Sequence, residues 1–557
     1  MDVKAALSYL KIDIKSIPDE NLRGSIILLL NAVEQLSKEN GEQSKTIQTL
    51  MDEINRLKGE QGKPTIRAQK KGQDISSESE RKKDKEDDNN QPPKNAKPQK
   101  AEIPIDQVEY CDVNKEELPP DAVFKGYESM VVQDIKMATH NILFKKATYY
   151  SASQKKTYMG SLPIGYQGQF GPGVKSLVLD LYQNGGMTEP ALKRFLETHG
   201  LYISSGTLSK IITNDVEIFH SEKTAIVNAG LEATDYQHLD DTGSRVNGKN
   251  YHTHVLCNPF FTAYFTLPTR DRLAAIEVLS NGKLIFCLDE EAYQLMKELG
   301  LSDKWLNRLR ALNIEPTPKT PAEMDALIQL LFPKKHRHQT NQKLIREVAA
   351  IVAYQRYGGQ TKILLTDGAL QFQLITEHQG LCWVHEGRHY KKLNPVLAMH
   401  REALEDFRQL FWDFYRELQN FKKRPTQEEA ERLSAAFDEI FSRKTDYQDL
   451  DDRIASTLSN KKKLLLVLRF PYLPLHNNPA ELGARVQARK RDISLQTKNA
   501  EGTKSKDTLM TIVETAKKLG VNTFRYIYDR LSGKYEMPSL ADLIRQRSAK
   551  VAFVNTA

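Results

Sequence analysis

Three short segments of the chain each place an acidic side chain where an apolar run ends or a helix begins. The acids are Asp240 with its neighbour Asp241, then Asp367, then Glu481. The first two segments are predicted to be strand ends, and the third the first turn of a helix. Three carboxylates from two strands and a helix can hold two magnesium ions, because Mg²⁺ takes a few carboxylate oxygens and leaves its other positions to water and phosphate. Such a site cuts and joins phosphodiesters.

Each acid also has a purely structural explanation. Asp240 could shape a turn before Gly243, and Asp367 begins a common turn dipeptide. Glu481 could complete a helix cap in which Asn478 is the N-cap residue. Taken singly, each acid is better explained by structure. Their joint occurrence in the order strand, strand, helix, beside the motifs that follow, favours the catalytic interpretation.

Further motifs accompany the acids in a fixed order. They are Leu365-Thr366-Asp367-Gly368, Cys382-Trp383-Val384-His385 with Arg388, Asn477-Asn478-Pro479-Ala480-Glu481 with Arg485, Arg489 and Lys490, and Val513-Glu514-Thr515-Ala516-Lys517. From about Val174 to about Tyr526, this set resembles the transposases of the insertion sequence 66 family. The resemblance implies an α/β, ribonuclease-H-like catalytic core, and it aligns the first catalytic acid with Asp240 rather than Asp241.

The resemblance also implies the reaction. Asp240, Asp367 and Glu481 would be the catalytic residues and the ligands of Mg²⁺, with Mn²⁺ as a substitute. The enzyme would nick the end of a DNA element, and the freed 3′-hydroxyl would attack target DNA. The alternative is a DNA-binding accessory or domesticated protein of the same descent that does not cut, and a third reading is a nuclease unconnected with transposition.

Six basic side chains are the predicted DNA contacts: His385, Arg388, Arg485, Arg489, Lys490 and Lys210. The first two follow a predicted strand at 381–384, and their predicted role is phosphate contact or orientation of a catalytic carboxylate. The alternative for the histidine is a hydrogen-bonded side chain beneath the active face. Two arginines follow Glu481 at four-residue intervals and therefore share its helix face. Leu482 stands where the family usually has an arginine, so one DNA contact of the family is in doubt.

Composition sets the broad class of the protein. The 557 residues exceed one compact domain, and a formal net charge of +8 suits a polyanionic partner without proving one. Four cysteines lie far apart with no CxxC pair, which indicates neither a disulfide framework nor a zinc site. Related transposases often carry a zinc module near the lone Cys111, and none is expected here. No signal pattern or spanning run is present, so we expect no membrane association and a cytoplasmic, nucleoid-associated bacterial protein.

The region before residue 101 is predicted to be a helix and a linker. Apolar residues from Leu22 to Leu57 follow a heptad rule, with Asn40 interrupting the a positions, which favours a parallel homodimeric coiled coil within residues 1–57. The alternative is an amphipathic helix folded back on the body. Residues 58–100 are too polar to bury a core and are predicted to be a disordered linker.

Two small units are predicted next. Alternating runs at 130–135, 141–146 and 156–159 predict a β-rich domain at 101–170. Within 171–225, a helix at 189–198, a break at Gly200 and a second helix from Ser205 predict a helix-turn-helix in which Lys210 faces DNA, although such helix pairs are often only structural.

Residues 226–531 are predicted to form the catalytic domain, followed by a tail at 532–557. The catalytic domain is expected to contain strands at 235–240, 251–257 and 262–267, a helix at 272–279, strands at 363–366 and 381–384, and a helix from about Asn478. Helical insertions at about 290–357 and 396–460 interrupt this order. Aromatic residues at helical spacing in the second insertion predict a packed core. Partners would be element ends and target DNA, a second copy through residues 22–57, and accessory proteins of the same element.

Overall fold

The computed structural model describes residues 14–57, 105–114, 118–119, 121–135, 137–166, 168–334 and 337–556. The described chain is a mixed α/β protein, which confirms the predicted α/β class. Its residues fall into a larger unit within 1–68, 163–189 and 206–557 and a smaller unit within 69–162 and 190–205. The predicted linker at 58–100 lies outside the described residues. Among the described helices, none combines the length and apolar composition that crossing a bilayer requires.

The first long helix, α1 (Glu20–Leu57), covers the predicted coiled-coil segment. Its first half packs on the rest of the larger unit through Leu30 and Glu34, both buried, as the alternative interpretation expected. The predicted d positions Leu29, Leu36 and Leu50 are exposed. Homodimerisation through this row stays a prediction.

The smaller unit contains an antiparallel hairpin, β1 (Thr148–Ser151) and β2 (Lys156–Met159). The strand predicted at 156–159 is therefore confirmed. The strands predicted at 130–135 and 141–146 are wrong, since all of these residues are described and none is in a strand. Ile135 and Leu143 are 81% and 82% exposed, so the alternating pattern has no surface to pack against. Alternation favours a strand only when one face is covered.

Between the hairpin and the main sheet, the described chain forms α2 (Pro172–Gln183), α3 (Glu189–Thr198), α4 (Ser205–Thr213) and α5 (Ile218–Glu232). The two helices of the predicted helix-turn-helix are present, and the left-handed Gly200 between them has a φ of 78°. All but the first residue of α3 belongs to the smaller unit, and all but the first residue of α4 to the larger one. A helix-turn-helix that binds DNA stays a prediction.

The larger unit is built on a five-stranded sheet. Its strands are β3 (Tyr236–Val246), β4 (Lys249–Cys257), β5 (Thr262–Leu267), β6 (Ile363–Thr366) and β7 (His378–Leu381), in the spatial order β5-β4-β3-β6-β7. The first three strands form an antiparallel meander. β6 runs parallel to β3, and β7 parallel to β6. The bounds of β5 and β6 are those that the sequence predicted.

The strand predicted at 381–384 is wrong, because β7 ends at Leu381 and the helix α11 (Trp383–Lys392) begins two residues later. The thiol of Cys382 accepts the backbone N–H of His385 and so occupies the N-cap position. The apolar run that was predicted to be a strand is therefore the capped start of a helix.

Helices make up the remainder of the larger unit. The first group is α6 (Arg272–Leu279), α7 (Glu290–Glu298), α8 (Asp303–Ala311), α9 (Pro321–Leu331) and α10 (Gln339–Tyr357). After β7 come α11 (Trp383–Lys392), α12 (Ala398–Lys423), α13 (Gln427–Phe441), α14 (Gln448–Ser459), α15 (Lys461–Leu464) and α16 (Leu466–Arg469). The chain ends with α17 (Asn478–Ser494), α18 (Ala500–Lys518), α19 (Thr523–Leu531) and α20 (Leu540–Thr556). Both predicted insertion regions, 290–357 and 396–460, are helical.

An aromatic core joins the second insertion to the segment after β7. Trp383 is fully buried, and its ring lies 5.4 Å from that of Phe411 and 5.6 Å from that of Phe414. Phe437 and Phe441 of α13 complete the cluster. The aromatic stripe of α12 is therefore core, as predicted, and it fixes α11 from below.

The N-terminus of α12 is capped by a residue from α1. Leu397, in the N-cap position, has no capping side chain, and Glu34 accepts the N–H groups of Val396 and Leu397 at 2.9 and 2.7 Å. His400 also contacts this carboxylate, at 3.3 Å. Burial alone would raise the pKa of Glu34, but the hydrogen bonds from His400, Leu397 and Val396 outweigh burial and lower it.

We expect Glu34→Gln to lower the free energy of unfolding by about 1–3 kcal/mol, because it removes a charge that satisfies two buried donors. Since the folded-state pKa is lowered, the stabilisation is complete above the unfolded value of about 4.3 and is lost as the pH falls through the folded value. Urea unfolding at pH 7 and below about pH 4 measures both effects. The control is Glu39→Gln, an exposed position of the same helix. An equal loss at both pH values would contradict this account.

Candidate active site

Asp240 and Asp367 are brought side by side by the register of two parallel strands. His238 of β3 lies opposite Leu365 of β6, and the pairing advances one residue at a time. Continued two residues further, the same register sets Asp367 opposite Asp240. Asp367 follows the last residue of β6, and its carboxylate also accepts the N–H of Ala369 at 3.0 Å. The turn role of this acid is therefore compatible with its predicted place in the site.

Glu481 lies in the first turn of α17, and this helix packs on β3 and β4. Gly483 lets the helix approach this closely, because a Cβ there would lie 2.6 Å from Cγ1 of Val255. The hydroxyl of Tyr264 donates to the carbonyl of Gly483 at 3.2 Å. The position of the third acid thus depends on a glycine two residues after it.

The three carboxylates share one electrostatic environment. The pKa of Asp240 is raised to about 7, first by burial, and further by the negative charges of Asp367 and Glu481. The N–H of Asp241 donates to Asp240 at 2.8 Å and opposes this shift. The charges of Asp367 and Glu481 also act on His385, whose pKa is lowered chiefly by burial. The charges of Asp367 and Glu481 thus act on both Asp240 and His385.

Asp241 has a different surrounding from Asp240. Adjacent strand residues point to opposite faces of a sheet, and Asp241 accepts a hydrogen bond from Gln371 at 3.2 Å. The assignment of catalysis to Asp240 rather than Asp241 stays a prediction, and this placement supports it.

Glu481 is held by Arg388 rather than by a helix cap. The two guanidinium nitrogens of Arg388, on α11, donate to the two oxygens of Glu481 at 3.1 and 2.9 Å. The N-cap position of α17 is Asn477, whose side chain makes no capping bond, so the prediction of Asn478 as the N-cap is wrong. The capping explanation for Glu481 falls with it. Arg388 positions an acid, and its predicted DNA contact stays a prediction.

The other predicted DNA contacts divide into exposed and buried side chains. Arg485 and Arg489 are exposed along α17, and Lys210 is exposed on α4. Lys490 is only 5% exposed, and its ammonium donates to the carbonyl of Tyr182 and lies 3.3 Å from the centre of that ring. Burial lowers the pKa of Lys490 to about 7. The structure gives no support to a DNA contact at this lysine.

The chemistry of the donors fits a hard divalent cation. Carboxylate oxygens are the ligands that Mg²⁺ prefers, and a bound cation would favour the charged form of Asp240, which burial and the charges of Asp367 and Glu481 disfavour. Within the described ranges, no three or more His, Cys, Asp or Glu side chains form a group that could hold a metal ion. Both oxygens of Glu481 face Arg388 instead.

Two buried residues of the site were not predicted. His238 precedes Asp240 by two positions and so shares its face of β3, and its Nδ1 lies 2.9 Å from Oδ1 of Asn477. Asn477 was visible only as the first letter of a motif. The two-residue spacing to Asp240 was the available signal for His238, whereas nothing in the sequence indicated that Asn477 would reach β3.

Comparison with known proteins supports the sequence resemblance. Residues 321–505 match the family described as transposase IS66 family, which confirms the resemblance over that range. The range includes Asp367, Arg388 and Glu481 and begins after Asp240. The uncharacterized protein y4jO of Sinorhizobium fredii is 29% identical over 310 residues, which are 55% of this chain and 94% of that protein.

We expect Gly483→Ala to cost about 1–3 kcal/mol of stability, because the new methyl group must push α17 away from Val255. The cost should shrink in a Val255→Ala background, where the opposing Cγ1 is gone. A double-mutant cycle from urea unfolding measures this coupling. Gly41→Ala is the control, since nothing lies within 4 Å of a Cβ there. Additive costs would show that the close approach is not what requires the glycine.

Proposed function

Because residues 321–505 carry a transposase IS66 family domain, we propose that the protein is an Asp-Asp-Glu transposase. It nicks the end of a DNA element and joins the freed 3′-hydroxyl to target DNA. The observation that carries the proposal is the placement of Asp240, Asp367 and Glu481, which come from distant parts of the chain, by the β3–β6 register and by the packing of α17 on β3 and β4. Nothing in the folding of a sheet requires two further carboxylates to act on a buried aspartate.

The sheet supports a ribonuclease-H-like core. An antiparallel meander followed by a helix and then by two parallel strands is the order that the family resemblance implies. The acids lie at the carboxyl ends of β6 and along β3, with α17 above them. In open α/β sheets, this edge is where ligands bind.

Each residue has a role in this proposal. Asp240, Asp367 and Glu481 hold Mg²⁺, which when bound activates water and stabilises the leaving oxygen. Glu481 can serve a cation and Arg388 together, since each carboxylate oxygen has two lone pairs. Arg388 keeps Glu481 in place and balances one of three negative charges.

Arg485 and Arg489 provide phosphate contacts along α17. Guanidinium groups bind phosphate oxygens in pairs and bring the strand to the acids. Lys210 and His385 remain candidates for further contacts, the first from the exposed surface of α4 and the second from beside the acids.

Assembly follows from the reaction. Synapsis of two element ends requires at least two protomers, and the exposed row Leu29, Leu36 and Leu50 on α1 is the surface through which we propose that they pair. Accessory proteins of the same element are further proposed partners. The proposed setting is the bacterial cytoplasm, at the nucleoid.

One observation favours a second candidate, a DNA-binding protein of the same descent that does not cut. In the part of the chain that the structure describes, no group of acids is ready to hold a metal ion, and Arg388 occupies Glu481. The two candidates differ in metal-dependent nicking.

The decisive test uses a labelled duplex that carries the flanking end of the element, with Mg²⁺ or Mn²⁺. We expect the native chain to nick this duplex, and Asp240→Asn, Asp367→Asn and Glu481→Gln each to lower the rate by about 10³-fold or more. Asp241→Asn is the matched control, since this adjacent acid contacts Gln371 and should leave the rate near native.

Circular dichroism and DNA binding must be unchanged in all four variants. Binding of element ends by the native chain without any nicking would favour the second candidate. A loss in Asp241→Asn with full activity in Asp240→Asn would reassign the first acid.

A second prediction concerns the exposed arginines of α17. Arg485→Gln and Arg489→Gln should each weaken binding to any DNA sequence and reduce the slope of log K against log salt by about 1, because one phosphate contact is lost. Filter binding across a salt series measures this slope. Arg545→Gln, an exposed arginine that pairs with Asp542 on α20, is the control. An unchanged slope in both α17 variants would exclude them as phosphate contacts.

A further inference from the structure

Asn477 is the residue at which two acid-bearing elements, β3 and α17, meet the start of α11. It immediately precedes α17, which carries Glu481, and it is 1% exposed. Its side chain reaches β3, and its backbone reaches the start of α11. These contacts are made by one small, uncharged residue that has no ligand role in the proposed reaction.

The amide of Asn477 holds β3 beside Asp240. Its Nδ2 donates to the carbonyl of Leu239 at 3.2 Å, which leaves Oδ1 as the acceptor for Nδ1 of His238 at 2.9 Å. The proton of His238 therefore sits on Nδ1.

The backbone N–H of Asn477 holds the start of α11. It donates to the Cys382 sulfur at 3.2 Å, and the same sulfur accepts the N–H of His385 at 3.4 Å. Burial raises the pKa of this thiol to about 12, so the acceptor is a neutral sulfur. One thiol thus joins the N-terminal ends of α11 and α17.

The contacts form a closed circuit around Glu481. Its own N–H donates to the carbonyl of Asn477 at 3.1 Å, and its carboxylate is held by Arg388 of α11. The path from Cys382 through α11 to Arg388 and Glu481 therefore returns through Asn477 to Cys382. Glu481 is held at both its backbone and its side chain.

The rest of α17 has separate anchors. Besides Gly483, Gln487 donates to Ser244 at 3.2 Å, and Arg491 donates to the carbonyl of Gly243 at 2.6 Å. Loss of the Asn477 amide would therefore leave the helix on the sheet and free only its first turn.

We propose that Asn477, through His238, Leu239 and Cys382, is a positioning residue that sets the place of Glu481 relative to Asp240. It thereby tunes the affinity of the acids for a divalent cation. The inference rests on the proposed function, because it assumes that these acids hold the cation.

The test measures Mn²⁺ binding to the full chain without DNA, by the electron paramagnetic resonance signal of free Mn²⁺. We expect Asn477→Ala to raise the Kd for Mn²⁺ about tenfold or more, as is usual when a residue that supports metal ligands is lost. Cys382→Ala should weaken Mn²⁺ binding, and Cys382→Ser, which keeps an acceptor, should restore much of it. In nicking assays, kcat should fall while KM for DNA stays near native.

Asn258→Ala is the matched control. Asn258 is also a fully buried asparagine, and its amide donates to the carbonyl of Gly230 at 2.7 Å and to Thr234 at 3.1 Å. It should lower the thermal unfolding midpoint without changing the Kd for Mn²⁺. If Asn477→Ala behaves like this control, the positioning role is overturned. If Asn477→Ala does not fold, equal Mn²⁺ affinities in Cys382→Ala and Cys382→Ser overturn it.

Asp240→Asn separates this inference from the proposed function. If Asp240→Asn binds Mn²⁺ as the native chain does, the acids are not the metal site, and both proposals fail. If Asp240→Asn loses Mn²⁺ but Asn477→Ala keeps native affinity, only the positioning role fails.

Discussion

The burial of a carboxylate close to other negative charges is the constraint on which the candidate site depends. The pKa of Asp240 is raised to about 7 chiefly by its burial, and the negative charges of Asp367 and Glu481 raise it further. A fold tolerates such a cluster only if its surroundings fix each member. Here the surroundings include an arginine fork on Glu481 and the start of a helix, whose partial positive charge favours an acid in the first turn.

Close packing and directional hydrogen bonds supply the fixing. The parallel register of β3 and β6 leaves Asp240 and Asp367 little freedom, because a strand shift would also move a fully buried row. α17 is not held in place by strand pairing. Its position depends on the close packing at Gly483 and on the hydrogen bonds that Asn477 donates. The aromatic core around Trp383 packs against α11 and so stabilises the helix that carries Arg388.

Sequence patterns correctly predicted the elements whose bounds are set by residues close to them in the chain. The bounds of β5, β6 and α6 follow from short apolar runs between turn residues, and the helical insertions follow from their periodicity. The strand predicted at 381–384 was wrong because the thiol of Cys382 caps a helix that begins there. The sequence gives no local signal for a cysteine in this role. Lys490 shows the limit for charges, since a lysine over a tyrosine ring and a lysine facing solvent look the same in sequence. Contacts between distant segments, such as Asn477 with Leu239, have no local pattern at all.

The cap that α1 provides to α12 also constrains the order of assembly. Glu34 and Val396 are separated by 362 positions, so the ribosome releases α1 long before its partner exists. At typical synthesis rates the interval is roughly 20–70 s. Throughout it, the apolar faces of α1 are open to other chains, including neighbours on the same messenger. The pairing of copies that we propose for α1 would therefore be able to begin before Glu34 docks on α12.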